Sequence, residues 1–161
     1  MTHRDGRRLN PAFRERLFEM INVSPFLRHL NIEITEIGWG TARFDAEAAD
    51  FRMQPFGVVH GANMATLIDS AAFWACYLAL DNEEDGLTSV DLRVNYLTAS
   101  RGGSMRCLAR LLKSGRVLSY AEAEVRSDGG ELLAHGTSTL MRLPQKGFRV
   151  GVPMWADAGG L

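Results

Sequence analysis

The sequence predicts an α+β domain in which a curved antiparallel sheet of about six strands wraps around one long central helix. Its 161 residues, 46% hydrophobic and 23% charged, are typical of a single globular domain that can bury its own core. Residues 62–80 form a nearly continuous apolar run whose only charge is Asp69. Alternating apolar and polar residues dominate the chain after that run, as expected of strands.

The first part of the chain predicts two helices. Residues 1–10 are polar and basic, and we expect them to be loose. Pro11 begins a stretch with apolar residues at helical period, which predicts an N-terminal helix up to Asn22 because proline is favoured in a first helical turn. Ser24 and Pro25 mark the start of a second, short helix.

A hairpin, a loop and the central helix follow. Alternation that begins at Ile32, a glycine-containing turn at residues 38–40 and renewed alternation up to Ala46 predict a β-hairpin. Residues 49–61 carry one proline and two glycines and should form a loop. The run at 62–80 is rich in Ala, Leu and Met and contains neither Gly nor Pro, so we expect a helix there.

Four consecutive antiparallel strands are predicted after the helix. In the first of them, Val90, Leu92 and Val94 alternate with polar neighbours. The strands are expected near residues 89–96, 105–112, 117–126 and 132–141, with turns at 102–103, 114–115 and 128–130. Residues 11–143 therefore form one predicted domain. Residues 144–161 should be an irregular tail, with Trp155 able to pack back on the domain.

Composition and charge exclude several classes of function. The net charge of −1 removes bulk electrostatic attraction to nucleic acid or to an anionic membrane. Cys76 and Cys107 have neither zinc-site nor disulfide-framework spacing, so we expect no metal site. The charged N-terminus lacks the apolar core of a secretory leader, and we expect a cytoplasmic protein. A membrane span at 62–80 is disfavoured by Asp69 at its centre.

Asp69 allows two interpretations. A buried carboxylate is costly unless it is paired or hydrogen bonded, and its helical neighbours offer only the hydroxyl of Thr66. In the structural interpretation, Asp69 pairs with a basic strand residue such as Arg93. In the functional one, it lies at the floor of a cleft and acts as a base or nucleophile.

Two segments resemble one known family. Residues 59–69, VHGANMATLID, are similar to the signature of acyl-CoA thioesterases of the PaaI and 4-hydroxybenzoyl-CoA type, which have the hotdog fold. In that family a His-Gly-Gly opens the central helix, and the catalytic acid lies nine positions after the histidine. His60 and Asp69 keep this offset. Residues 88–97, TSVDLRVNYL, resemble the strand that follows, and the resemblance spans about residues 24–142.

The resemblance implies roles for individual residues. Gly61 matches the position whose backbone N–H binds the thioester carbonyl oxygen, and Asp69 matches the catalytic carboxylate. Gln54 matches an Asn or Gln that helps to hold the carbonyl or the water, and Ser89 matches a Ser or Thr that orients the water. Ala62 departs from the family, which usually has a second glycine there, although its N–H can still point at a ligand.

Physical chemistry supports these implied roles. Thioester hydrolysis builds negative charge on the carbonyl oxygen, and unpaired N–H groups at a helix N-terminus meet that charge. Gly61 would let the carbonyl approach the backbone closely. We expect His60 to make a structural contact at the helix start, with direct chemistry as the less favoured role.

The spacing of Gly61 and Asp69 predicts a composite site. Eight residues span about 12 Å along a helix axis, too far for both groups to act on one carbonyl carbon. Two antiparallel helices related by a two-fold axis would bring Gly61 of one copy to Asp69 of the other. We therefore expect a homodimer, or a homotetramer built as a dimer of dimers.

Basic residues are candidates for binding coenzyme A. Between Leu92 and Arg116 there are six basic residues and no acidic one. Arg101 is the first candidate for the phosphates, followed by Arg106, and replacing both should raise KM for a CoA ester. Phe73, one helical turn after Asp69, would line the acyl pocket. We expect no cofactor apart from coenzyme A as part of the substrate.

The predicted activity is hydrolysis of an acyl-CoA thioester, with an aromatic or medium-chain acyl group. Asp69 would be a general base or a nucleophile, and the Gly61 N–H would be the oxyanion donor. Two alternatives stay open: a non-catalytic acyl-CoA binding module, and an enoyl-CoA hydratase or dehydratase of the same fold.

Overall fold

The computed structural model describes residues 8–47 and 50–156 and has the predicted α+β architecture. The helices are α1 (Pro11–Asn22), α2 (Pro25–His29) and α3 (Gly61–Tyr77), with a 3-10 turn at Asp50–Arg52. The strands are β1 (Arg8–Leu9), β2 (Ile32–Gly38), β3 (Thr41–Ala46), β4 (Gly86–Tyr96), β5 (Met105–Ser114), β6 (Leu118–Ser127), β7 (Leu132–Leu143) and β8 (Trp155–Ala156).

Six strands form one antiparallel sheet in the order β2-β3-β5-β6-β7-β4. The hairpin β2–β3 and the consecutive strands β5, β6 and β7 agree with the prediction from sequence. The first strand after the helix does not continue that series: β4 pairs with β7, from Gly86 opposite Leu143 to Tyr96 opposite Ala134. The chain therefore crosses the sheet between β4 and β5, and β4 is left as an edge strand.

The central helix α3 lies on one face of this sheet and contacts all six strands. The facing strand positions are small, and Ala121, Ala123 and Ala134 are almost completely buried. A Cβ added at Gly136 would lie 2.9 Å from Cγ2 of Ile68, so a side chain on β7 at this point would push the helix away. Small residues on the strands thus let the apolar helix pack closely on the sheet.

The N-terminal helix α1 begins and packs as its sequence predicts. The Asn10 side chain accepts a hydrogen bond from the Ala12 N–H at 3.0 Å, which caps the helix start. Phe13, Leu17 and Ile21, spaced four residues apart, are buried in the core. No helix among the described residues is long and apolar enough to cross a membrane.

The C-terminal segment, residues 144–156, is irregular except for the two residues of β8, and it is hydrogen bonded to the end of α3 and to Glu83 beyond it. The Tyr77 hydroxyl accepts a hydrogen bond from the Phe148 N–H at 2.8 Å, and the Glu83 carboxylate accepts one from the Met154 N–H at 3.0 Å. Trp155 is 6% exposed, so it does pack back on the domain.

The expectation of a loose N-terminus is wrong for Arg8 and Leu9. They form strand β1, which pairs with β8 near the end of the chain. The rest of the predicted loose N-terminus up to residue 7, and the part of the tail from residue 157, lie outside the described residues.

Candidate active site

The lone acidic residue of α3 is hydrogen bonded to the neighbouring strand. Ser89 on β4 donates a hydrogen bond from Oγ to Oδ1 of Asp69 at 2.8 Å. Asp69 is only partly buried, and it makes no ion pair with any described basic residue. The structural interpretation that paired it with Arg93 is therefore wrong. Arg93 lies opposite Thr137 in the sheet and is exposed.

Ser89 reaches Asp69 because β4 contains a β-bulge. Ser89 pairs with Leu140, whereas Asp91 pairs with the adjacent Thr139, so Val90 is an extra residue in the strand. Leu140 is fully buried under α3, and Ser89 shares its side of the sheet. Without the bulge, Val90 would face the helix, but it is 52% exposed. The simple alternation of the sequence does not reveal this shift.

The first turn of α3 presents the Gly61 N–H to the cavity side of the helix start without an acceptor among the described residues. His60 is the N-cap residue, and its Nδ1 accepts a hydrogen bond from the Ala62 N–H at 3.0 Å. This is the structural contact expected of His60. The same hydrogen bond occupies the Ala62 N–H. The expectation that this N–H could point at a ligand is therefore wrong. Among the described residues, none accepts a hydrogen bond from the Gly61 N–H.

A cavity of about 340 Å³ opens at this end of α3. Gln54 and Gly61 both line it, and within the described part of the chain the Gln54 side-chain amide has no hydrogen-bond partner. The structure thus brings two of the predicted site residues together around one cavity. The remaining lining residues are Val58, Val59, Met64, Tyr96, Leu97, Thr98 and Ala99.

Tyr96 is a cavity residue that the sequence analysis missed. A Cβ added to Gly61 would lie 2.9 Å from Cε1 of Tyr96, so the ring rests directly on the glycine. Gly61 does not have a positive φ, and its backbone could therefore belong to any residue. The only signal for Tyr96 in the sequence is an aromatic residue at the end of a strand.

Arg52, also missed, anchors the loop that leads into α3. Its side chain is 2% exposed, and Nη2 donates hydrogen bonds to the carbonyl oxygens of Leu30 and Asn31, the latter at 2.8 Å. Its own carbonyl oxygen accepts a hydrogen bond from the His60 N–H at 2.8 Å. Burial lowers the pKa of Arg52 from its ordinary value. The helix start is therefore fixed to the corner between α2 and β2.

The two pairs of polar residues lie apart within one chain. Gly61 and Gln54 line the cavity at the start of α3, whereas Asp69 and Ser89 lie two helical turns further on. Eight residues at the helical rise correspond to about 12 Å. A single carbonyl group cannot contact the Gly61 N–H and the Asp69 carboxylate of the same chain.

The predicted substrate-binding residues lie in three different environments. Arg101 is exposed and follows Ser100, whose carbonyl oxygen accepts a hydrogen bond from the cavity residue Val59 at 2.8 Å. Arg106 lies on the sheet face opposite α3, 3.7 Å from Asp45. Phe73 is partly buried and does not line the cavity. Its ring packs edge-on against Trp74, with ring centroids 5.2 Å apart.

A larger cavity, about 910 Å³, lies under the C-terminal segment near Tyr77 and Phe148. None of the predicted site residues lines it. Neither cysteine lines the cavity beside Gly61, and both thiols are free and buried. Burial raises the pKa of Cys76 to about 12, which makes it a poor nucleophile. No group of three or more potential ligands for a metal ion occurs among the described residues.

The family model, a curated relative and a solved structure that resemble this chain are all named as thioesterases. The model of the thioesterase superfamily matches residues 56–134, which include Gly61, Asp69 and Ser89. A Pseudomonas aeruginosa protein named as an esterase is 27% identical over 94 residues, and the match covers 58% of this chain. The chain spans 65% of that relative, a little under two thirds of its length.

Other relatives match over a larger share of their length. The medium/long-chain acyl-CoA thioesterase YigI of Escherichia coli is 26% identical over 138 residues, covering 73% of this chain and 84% of that protein. The crystal structure of a thioesterase from Haemophilus influenzae superposes with a TM-score of 0.75 at 25% identity. It covers 82% of this chain and 91% of its own. The chain is therefore similar to proteins of the thioesterase superfamily, and it has their hotdog fold.

Proposed function

We propose that the protein hydrolyses an acyl-CoA thioester in a site shared by two copies of the chain. One copy supplies Asp69 and Ser89, and the other supplies Gly61 and Gln54. The observation that carries the proposal is the arrangement on α3. A hydrogen-bonded carboxylate and an unpaired helix N–H share one helix, about 12 Å apart.

Each group has a defined task in the proposed reaction. Water, activated by Asp69 as general base, adds to the thioester carbonyl carbon, and the oxygen takes up negative charge. The Gly61 N–H of the second copy donates to that oxygen, with the helix dipole behind it. The C–S bond then breaks, releasing free acid and the coenzyme A thiolate. If Asp69 is instead the nucleophile, its oxygen attacks the carbonyl carbon, and the C–S bond breaks with release of the coenzyme A thiolate. Water then hydrolyses the mixed anhydride to the free acid and regenerates the carboxylate.

Ser89 sets the orientation of the carboxylate in either version. Its hydroxyl donates to Oδ1 of Asp69 and leaves Oδ2 free to meet water or the acyl carbon. Gln54 lines the cavity beside Gly61, and its side-chain amide has no partner in the described part of the chain, so it can hold the carbonyl oxygen or the water. These tasks match those that the family resemblance implies.

An acyl-CoA substrate is supported by the relatives and by the surroundings of the cavity. One relative is named as a medium/long-chain acyl-CoA thioesterase, which favours a medium-length or longer acyl group over an aromatic one. The cavity is lined mainly by apolar residues. Arg101 makes no ion pair with any described residue, so its guanidinium is available to a phosphate near the surface.

The exposed edge of the sheet supports a dimer. β4 has eleven residues, pairs only with β7 among the described strands, and is exposed along most of its length. Val90 and Leu92 on this edge are 52% and 38% exposed. A long edge with apolar side chains favours pairing with another strand, and the most direct partner is β4 of a second copy. Such a pair would also bring two α3 helices near each other.

Replacement of the carboxylate tests the proposal. Asp69→Asn keeps the shape of the side chain but removes its base and nucleophile, so kcat for a panel of acyl-CoA esters should fall at least about a hundredfold. Released thiol is measured with a thiol-detecting reagent, and the dimer is checked by sedimentation. Glu33→Gln is the matched control, since Glu33 is an exposed carboxylate on β2 at the other edge of the sheet.

Two results would contradict the proposal. Full activity in the Asp69→Asn variant would remove Asp69 from the chemistry. Tight binding of acyl-CoA esters without turnover by the wild-type protein would indicate a binding module instead.

A further inference from the structure

Tyr96 is a large aromatic residue that core packing does not explain. It is the last residue of β4, and 56% of its surface is exposed. Within the described part of the chain, its hydroxyl has no hydrogen-bond partner and its ring has no aromatic neighbour. Its ring lies against Gly61, and both residues line the 340 Å³ cavity. The side chain therefore belongs to the cavity and not to the core.

A side chain at position 61 would require the Tyr96 ring to move. An added Cβ would lie 2.9 Å from Cε1 and 3.1 Å from Cζ of the ring. Real Cβ atoms essentially never approach another heavy atom within 3.0 Å. Because the φ of Gly61 is not positive, the ring, and not the backbone conformation, disfavours a side chain here.

We infer that the Tyr96 ring positions the thioester carbonyl against the Gly61 N–H, an inference that rests on the proposed function. The ring covers the helix start on one side, and Gln54 lines the same cavity. A carbonyl oxygen that reaches the unpaired N–H from this cavity must pass along the ring. An N–H aimed at developing charge is more effective where water is excluded, and the ring keeps water from that side.

Tyr96 is thus a positioning residue that acts through its ring. The inference assigns the role to the ring and none to the hydroxyl, which has no partner among the described residues. Tyr96→Phe keeps the wall of the cavity and should change kcat by less than about twofold. Tyr96→Ala removes the wall, admits water and lets the thioester move, so kcat should fall by about tenfold to a hundredfold.

A double-mutant cycle measures the contact directly. Gly61→Ala alone should lower kcat by about tenfold to a hundredfold, because the new Cβ pushes the ring away from the helix start. In the Tyr96→Ala background the same Cβ has room, so Gly61→Ala should cost less than about threefold more. Tyr120→Ala is the matched control, since this tyrosine lies on β6 and is also exposed, at 40%.

Additive effects of the two substitutions would overturn the inference. A loss in Tyr96→Phe equal to that in Tyr96→Ala would also overturn it, because the hydroxyl would then be the acting group. Failure of the proposed function itself gives a different result, namely no thiol release by the wild type or full activity of Asp69→Asn. In that case the positioning role of Tyr96 is refuted together with the proposed hydrolysis. Melting temperatures of the four proteins in the cycle then report whether the ring and residue 61 still clash.

Discussion

Loss of the hydrogen bond between Ser89 and Asp69 gives the most informative single substitution. Ser89→Ala removes the hydroxyl that donates to Oδ1 of Asp69 at 2.8 Å and leaves the carboxylate in place. The carboxylate can then rotate about its side-chain bonds, so its reactive oxygen is oriented correctly for a smaller fraction of the time.

The expected loss follows from the strength and exposure of this bond. A hydrogen bond to a charged group contributes about 1.5–3 kcal/mol. Both side chains are accessible to solvent, so water replaces part of the lost bond, and the lower end of that range applies. About 1.4 kcal/mol of lost transition-state stabilisation corresponds to about a tenfold fall in kcat. This is smaller than the loss expected for Asp69→Asn, because the carboxylate is still present.

The assay separates positioning from substrate binding. We expect kcat to fall while KM for the acyl-CoA ester stays nearly constant, because Ser89 lies beside the carboxylate and not in the cavity around Gly61. Ser89→Thr keeps a hydroxyl on a residue suited to a strand and should retain most activity. Thr88→Ala is the control, since it removes a hydroxyl from the adjacent residue, whose side chain points to the other face of β4.

A change in kcat of less than about twofold for Ser89→Ala would refute this reasoning. A rise in KM at constant kcat would refute it as well, because Ser89 would then bind substrate instead of orienting Asp69.

Two further predictions concern the surface charge and the C-terminal segment. Arg101→Ala should raise KM for a CoA ester with little change in kcat. Arg106→Ala should leave both constants unchanged, because Arg106 lies on the outer sheet face beside Asp45. Equal effects of the two substitutions on KM would contradict this difference in position. Hydrogen bonds from the Gln145 N–H and from Arg142 lower the pKa of Asp85, so this stabilisation is present at neutral pH and is lost as the pH falls through the lowered pKa. Asp85→Asn should therefore lower Tm at pH 7 and weaken the fall of Tm below about pH 4, and an unchanged Tm profile would show that Asp85 does not hold the segment.

Local sequence patterns were sufficient to predict most of the helices and strands. Pro11 and the apolar positions after it predicted the position of α1. The absence of Gly and Pro from residues 62–80 predicted the position of α3. The position of β4 was not predictable in the same way, because alternation identifies a strand but not its neighbours. β4 follows the helix in sequence, yet it pairs with the last long strand of the sheet.

The candidate site was predictable through the family resemblance, since Gln54 and Ser89 taken alone are ordinary polar residues. The offset between His60 and Asp69 matched the family signature and thereby predicted both parts of the site. The structure places Gln54 beside Gly61 and Ser89 beside Asp69. The bulge at Val90 and the contact of Tyr96 with Gly61 depend on register and on three-dimensional proximity. Neither the bulge nor this contact produces a periodic pattern in the sequence, so both could be identified only from the assembled sheet.

The central claim is that two copies of the chain complete one site, and mixing two inactive variants tests it most directly. Asp69→Asn retains a functional Gly61, and Gly61→Val retains a functional Asp69. After subunit exchange, each mixed dimer holds one site with both wild-type groups. Random exchange makes half of the dimers mixed, so activity should recover to about a quarter of the wild-type level. No recovery above that of the separate variants, with mixed dimers detected by native mass spectrometry, would contradict a shared site.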